Sequence, residues 1–292
     1  MELARRMVED RLTSFFPGGG LEEAMRYSLL AGGKRIRPIL TMKFCQAAGG
    51  TPEEALDFGC GIEMLHTYSL IHDDLPCMDN DDLRRGKPTN HKLYGECVAT
   101  LAGDALQAAA FHTVLSAAGT WRHGGQMAKG LAAEILAEAA GVGGMCGGQY
   151  WDTLGDGQPR TLEELTEIND KKTGALLRAA CKMGVAASLG CREVDAACME
   201  AAQEYATHLG LAFQIRDDML DVEGSAADFG KPIGSDAANG KVTYVTLLGL
   251  EECGRRVLQY TEQAKAALER GVWQGDPAFL RQLADSLAQR RT

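Results

Sequence analysis

Apolar residues recur at intervals of three and four along most of this chain, and that spacing folds into helices rather than sheets. Leu21 to Ala31, Ile36 to Ala48, Pro52 to Asp74, Leu93 to Ala118, Gln126 to Ala140, Leu162 to Leu189 and Val194 to Val222 all carry it. Ala, Leu, Met and Glu dominate these segments, as strong helix formers do. Alternating strand patterns are nearly absent, and only the β-branched and aromatic run Val242-Thr-Tyr-Val-Thr246 is left unassigned by propensity. Glycine doublets at 32–33, 49–50, 124–125, 143–144 and 147–148 punctuate the apolar stretches. Thr51-Pro-Glu-Glu54 reads as an N-cap, a first-turn proline and first-turn acids, and Thr161-Leu-Glu-Glu164 as a capping box. With no Pro/Ser-rich linker, low-complexity tract or fixed-period repeat, the pattern predicts a single all-α domain over residues 1–292.

Charge narrows the function classes. Against 30 basic side chains stand 40 acidic ones, a formal net charge of -10. Nucleic-acid binders neutralise phosphates with surplus Lys and Arg, and docking on anionic membranes needs basic clusters, so both are disfavoured. No apolar run approaches the 18 or so residues of a spanning helix, and the first ten residues mix acids and bases where a signal peptide is apolar. The expectation is a cytoplasmic protein. Its nine cysteines are scattered and never spaced C-x-x-C, which fits neither a disulfide framework nor a structural zinc site.

The acids are not evenly spread. Asp73, Asp74, Asp79, Asp81 and Asp82 crowd one segment, and Asp217, Asp218 and Asp221 another, each closing an apolar helical run. At about 100° per residue, the latter three fall within one helical stripe, where carboxylates repel unless a cation lies between them. Oxygen-only clusters suit hard cations such as Mg²⁺, which keeps several waters and is shared with substrate phosphates. Pro76 disfavours helix at Leu75 and lacks an N–H, so the chain should bend near Asp74 and let Asp73 and Asp79 reach one ion.

Compact basic turns accompany them. Lys34-Arg35-Ile-Arg37 follows Gly32-Gly33, Arg84-Arg85-Gly-Lys87 follows the first aspartates, and Lys172, Lys231 and Lys241 stand beside Thr173, Gly230 and Gly240. An acidic chain with such patches near metal-type clusters suits small phosphorylated ligands. One diphosphate would be held through Mg²⁺ and another directly by Arg and Lys.

Together these residues resemble the trans-isoprenyl diphosphate synthase family, and within it the bacterial farnesyl diphosphate synthases. The match runs in order through GGKRIRP at 32–38, HTYSLIHDDLPCMDNDDLRRGKPTNH at 66–91, Gly103-Asp104, GMCGGQ at 144–149, KTG at 172–174, FQIRDDMLD at 213–221 and GKPIGSDAANGKVTYV at 230–245. The resemblance implies an all-α single-domain bundle around a deep central cavity, usually a homodimer. Position by position it implies that Asp73, Asp74, Asp79, Asp217, Asp218 and Asp221 gather up to three Mg²⁺ on the allylic diphosphate. Arg84, Lys172, Thr173, Gln214, Lys231 and Lys241 would contact that diphosphate, and Lys34, Arg37, His66 and Arg85 would hold isopentenyl diphosphate. Catalysis would rest on Asp73, Asp74, Lys172, Lys231 and Lys241, with no protein nucleophile.

Product length is implied by Tyr68, with its neighbour Ser69. Tyr68 lies five residues, roughly 7.5 Å, back from Asp73 along a helix. Its ring would floor the pocket of the growing tail. An aromatic there, with Pro76-Cys77 inside the first motif, resembles the fifteen-carbon enzymes, while Cys77-Met-Asp-Asn80, Lys87 and Asn90 also resemble geranylgeranyl synthases. Tyr150-Trp151 and Asn169-Asp170 depart from the pattern. A non-catalytic partner subunit is the further alternative, disfavoured because both aspartate motifs are complete.

Overall fold

The computed structural model describes residues 1–118, 125–153, 161–191, 195–223 and 242–290. Lys231, Lys241 and the GKPIGSDAANGK segment lie outside these residues. The described chain forms two compact units, residues 1–136 with 180–194, and residues 137–179 with 195–292.

The first unit contains α1 (Glu2–Thr13), α2 (Leu21–Leu29), α3 (Ile36–Ala47), α4 (Pro52–Asp73), α5 (Asn90–Tyr94) and α6 (Glu96–Ser116), with α7 (Gly125–Ala140) beginning in it. A two-stranded hairpin, β1 (Leu83–Arg84) and β2 (Lys87–Pro88), pairs Leu83 with Pro88 and Arg84 with Lys87. Helix α4 is apolar on nearly every face and packs against α3 and α6, which is why Phe58, Ile62, Met64 and Leu65 are fully buried. The expected capping box starts it: Glu54 N–H donates to Thr51 Oγ1, and Glu54 Oε2 accepts from Thr51 N–H at 2.8 Å.

The second unit contains α8 (Met145–Thr153), α9 (Leu162–Asn169), a π-helical turn (Asp170–Gly174), the start of α10 (Ala175–Ala187), α11 (Ala196–Glu223), α12 (Tyr244–Leu248), α13 (Leu250–Leu268) and α14 (Ala278–Ala288). Leu165, Ile215, Met219, Tyr244, Cys253 and Val257 form a core cluster in it. Thr161 supplies the second expected capping box.

Three spans differ from the periodicity reading. The run from Leu93 to Ala118 is broken at Gly95, whose φ of 85° ends α5 and opens α6. The run from Leu162 to Leu189 is interrupted by the π-turn, where each bond closes one residue later than in an α-helix. Val242 to Thr246 enters a helix, because Thr243 and Thr246 cap one another and override the β-branched preference of the run.

Candidate active site

The end of α4 shapes the first aspartate motif. The helix stops at Asp73, as Pro76 requires, and the turn folds back so that Asp79 N–H donates to the Asp73 carbonyl at 2.9 Å. The expected bend is therefore present and holds residues 73 and 79 side by side. Asp74 faces inward: Arg84 clasps it, with Nε to Oδ1 at 2.7 Å and Nη2 to Oδ1 at 2.6 Å. Burial pulls the Arg84 pKa down, and the Asp74 hydrogen bond and charge more than restore it, leaving it raised.

The basic turns meet in the same unit. Arg85 takes a left-handed φ of 54° and donates to the Gly32 carbonyl, and a methyl group on Gly33 would run into its guanidinium. Arg37 is half-buried, and its Nε is enclosed without a hydrogen-bond partner. Burial, with the nearby Arg85, lowers its pKa. Burial also pushes His66 well below its ordinary value, with Arg37, Arg85, Arg84 and Arg35 adding repulsion, so it is neutral at neutral pH. Of the four residues expected to hold isopentenyl diphosphate, Arg37, His66 and Arg85 are thus gathered, while Lys34 is exposed on the same turn. Arg35, between them in sequence, points the other way into a fully buried pair with Glu63 at 2.7 Å.

A depressed histidine binds fewer protons folded than unfolded. Its contribution to stability is present above the unfolded pKa near 6.5 and is lost as pH falls below it. The His66→Asn variant should accordingly lose less melting temperature than the parent between pH 7 and pH 5. Parallel acid slopes in differential scanning fluorimetry would count against a buried neutral imidazole.

On α4 the Tyr68 ring is buried and meets His72 edge-on, with centroids 5.6 Å apart, while Ser69 Oγ donates to the His66 carbonyl at 2.8 Å. His72 Nε2 in turn donates to the Thr100 carbonyl of α6 at 3.0 Å.

The second unit holds the other half of the predicted set. Lys172 and Thr173 ride on the π-turn, a bulge often found at functional positions. Thr173 Oγ1 donates to Gln214 Oε1 at 3.4 Å, Gln214 Nε2 donates to Asp218 Oδ1 at 3.5 Å, and Asp218 Oδ2 accepts the Tyr244 N–H at 2.8 Å. Asp218 is buried by this arrangement, whereas the side chains of Asp217 and Asp221 are partly open. Asp217 Oδ1 accepts from Arg290 Nη2 at 2.6 Å, and the Arg290 guanidinium stacks over Phe213 at 3.9 Å.

Among the described residues no three Asp, Glu, His or Cys side chains converge on a common metal position. The all-carboxylate donor set still fits Mg²⁺, which takes one or two protein carboxylates and completes its shell with water and substrate phosphate.

The polyprenyl synthetase family model matches residues 19–270. The chain belongs to this family. The farnesyl diphosphate synthase of Geobacillus stearothermophilus is 48% identical to this chain over 252 residues, covering 85% of the chain and 82% of the relative. The chloroplastic geranylgeranyl pyrophosphate synthase of Capsicum annuum is 47% identical over 272 residues, 92% of the chain and 71% of the relative. The apo crystal structure of an FPP/GFPP synthase from Zymomonas mobilis aligns with a TM-score of 0.84 at 35% identity, covering 98% and 96% of the two chains. The all-α isoprenoid synthase fold is therefore shared.

Several contributors to the candidate site were not read from sequence: Glu63 behind the basic turn, Asp152 on Lys172 at 2.8 Å, and Arg290 on Asp217. The only local cue was Asp152, adjacent to the unusual Tyr150-Trp151 pair, whose two rings are more than half exposed. Gly148 in the same helix has a geometric duty, because a methyl group there would overlap the Lys172 backbone nitrogen. The Gly148→Ala variant should therefore lose at least about tenfold in kcat/KM as the π-turn is pushed aside. Unchanged steady-state kinetics would show that the turn tolerates the shift.

Proposed function

We propose that this chain is a trans-prenyltransferase that condenses isopentenyl diphosphate with dimethylallyl and then geranyl diphosphate, giving (2E,6E)-farnesyl diphosphate. The carrying observation is the cationic cluster of Arg37, His66 and Arg85, with the Arg37 Nε enclosed and unpartnered. An enclosed, unpartnered guanidinium nitrogen beside a second arginine, in a chain of net charge -10, is arranged for a small anion. Its neutral imidazole donates a hydrogen bond without adding a third adjacent charge. The farnesyl diphosphate synthase relatives support the reaction and product.

In this reading Lys34, Arg37, His66 and Arg85 hold isopentenyl diphosphate, and Arg84, Lys172, Thr173, Gln214, Lys231 and Lys241 face the allylic diphosphate. Asp73, Asp79, Asp217 and Asp221 meet the metal directly or through water; of the other two aspartates expected there, Asp74 is held by Arg84, and Asp218 by Gln214 and the Tyr244 N–H, which ties α11 to the start of α12. Bound Mg²⁺ supplies positive charge that stabilises the departing diphosphate. The lysines add fixed charge at the leaving oxygens as the allylic carbon ionises. The apolar wall beneath Asp73 excludes water from the delocalised cation, which the isopentenyl double bond attacks. The proton then lost passes to the departing diphosphate.

The family model spans most of both units, which supports one polyprenyl synthase domain over 1–292. A homodimer belongs to the same proposal, as the resemblance to the prenyl synthase family implies. None of the described helices is long and apolar enough to cross a membrane, and a cytoplasmic location agrees with that. Incubation with Mg²⁺, isopentenyl diphosphate and either dimethylallyl or geranyl diphosphate should give a fifteen-carbon product, and no turnover with either allylic donor would end the enzyme reading.

A geranylgeranyl product is the second reading, since the Capsicum annuum relative is nearly as similar. The buried Tyr68 ring favours fifteen carbons. Replacing it by alanine should lengthen the product by one or more five-carbon units, and chromatography still giving only farnesyl chains would remove Tyr68 as the floor.

A further inference from the structure

Asp152 sits in the last turn of α8, and its Oδ2 accepts from Lys172 Nζ at 2.8 Å, both side chains being 27% exposed. We propose that Asp152 is a positioning residue for prenyl transfer: it holds the Lys172 ammonium where the allylic diphosphate lands, without touching the substrate itself. The proposal rests on the reading of Lys172 as a ligand of that diphosphate.

Physical reasons favour direction over mere adhesion. A lysine ammonium is a point charge on a flexible four-carbon stem, so nothing in the residue itself fixes where its charge sits. The backbone beneath it is held closely. Gly148 lets α8 lie directly against residues 171 and 172, and Arg178 clamps the start of the π-turn through Asp170, with Nη2 to Oδ2 at 3.0 Å. Once the backbone is fixed, the freedom left is in the Lys172 rotamers, and the Asp152 bond removes it. A carboxylate near a binding site for a polyanion weakens that binding by simple repulsion, so affinity alone gives no reason for Asp152 to be there. Its use lies in geometry. An ammonium carries three N–H donors, so one bond to Asp152 leaves it able to meet phosphate oxygens. A reacting group displaced by about 1 Å can cost roughly 100-fold in rate.

The test compares Asp152→Asn, Asp152→Glu, Lys172→Gln and the double variant Asp152→Asn/Lys172→Gln in the full chain. Steady-state constants for geranyl and isopentenyl diphosphate are measured alongside calorimetric binding of inorganic diphosphate with Mg²⁺ and melting temperature. Asp152→Asn should lower kcat/KM for geranyl diphosphate about 30- to 100-fold. The isopentenyl diphosphate KM should stay within about twofold, because that ligand's residues are elsewhere. Asp152→Glu should recover part of the loss, and the double variant should be no worse than Lys172→Gln, as when one residue acts through the other. Calorimetry should show diphosphate affinity changing far less than kcat/KM.

Losses that multiply in the double variant would overturn the proposal, as would an Asp152→Asn protein that melts earlier but turns over normally. If Asp152→Asn does not fold, Asp152→Glu decides: full activity rejects the positioning role, and a selective geranyl diphosphate defect supports it. A silent Lys172→Gln variant would instead refute the allylic reading of Lys172, which separates that failure from the failure of Asp152.

Discussion

Replacing Arg35 by methionine lowers the melting temperature by roughly 10 °C. The guanidinium is fully buried and makes four bonds at once: Nη1 to Glu63 at 2.7 Å, Nε to Glu9 at 2.7 Å, Nη2 to the Leu29 carbonyl at 2.8 Å and Nη2 to the second Glu9 oxygen at 3.4 Å. Burial alone lowers its pKa, but Glu9 and Glu63 more than reverse this, so the charge is kept. Methionine fills much of the volume yet strands Glu63, itself almost wholly enclosed, together with a backbone carbonyl. Breaking one side of a buried ion pair costs about 3–5 kcal/mol. At about 2–4 °C per kcal/mol for a chain of this size, that gives the stated shift. Circular dichroism melting is the check, and a fall of less than about 3 °C would mean that Glu63 is relieved by protonation or solvent. Methionine would have to occupy the same left-handed position, φ 51°, at the N-cap of α3.

Asp73→Asn should behave in the opposite way, with kcat down about 1,000-fold and a melting loss smaller than that of Asp74→Asn. The fold-back of the turn uses the Asp73 carbonyl, not its carboxylate, so the Asp79 N–H bond survives the substitution. What disappears is one negative charge at the mouth of the motif. Asp74→Asn, in contrast, should lose stability as well, because the Arg84 fork depends on that carboxylate. A kcat for Asp73→Asn within tenfold of the parent would remove this residue from the metal set, and equal melting losses in both variants would erase the distinction between the two aspartates.

Much of this was legible in the chain itself, for reasons tied to particular residues. Thr51 and Thr161 announce helix starts because their caps are local, and Pro76 announces the end of α4 because its ring acts on the preceding residue. Gly95 and the π-turn were hidden, since helical spacing continues on both sides and only the hydrogen-bond register changes. Thr243 shows local capping overcoming the β-branched preference of its neighbours. At the site, the aspartates and basic turns stand out by clustering. Their partners do not: Glu63 is 28 residues from Arg35, Asp152 is 20 from Lys172 and Arg290 is 73 from Asp217. Pairings of that reach depend on how helices pack, which no local window contains.

The π-turn at Asp170–Gly174 has a consequence for comparing relatives and for engineering. A π-turn amounts to a helix carrying one surplus residue, so a single deletion there would restore a regular ladder while shortening the axis by only about 1.5 Å. Because the wider turn absorbs its surplus residue, the helices on either side would keep nearly the same facing across the gap. A one-residue gap in a homologue at this place therefore removes the bulge that carries Lys172 and Thr173 while leaving the flanking faces in register. Chimeras that exchange α9 between two such enzymes should keep their junctions outside residues 170–174, so that the bulge is carried over whole.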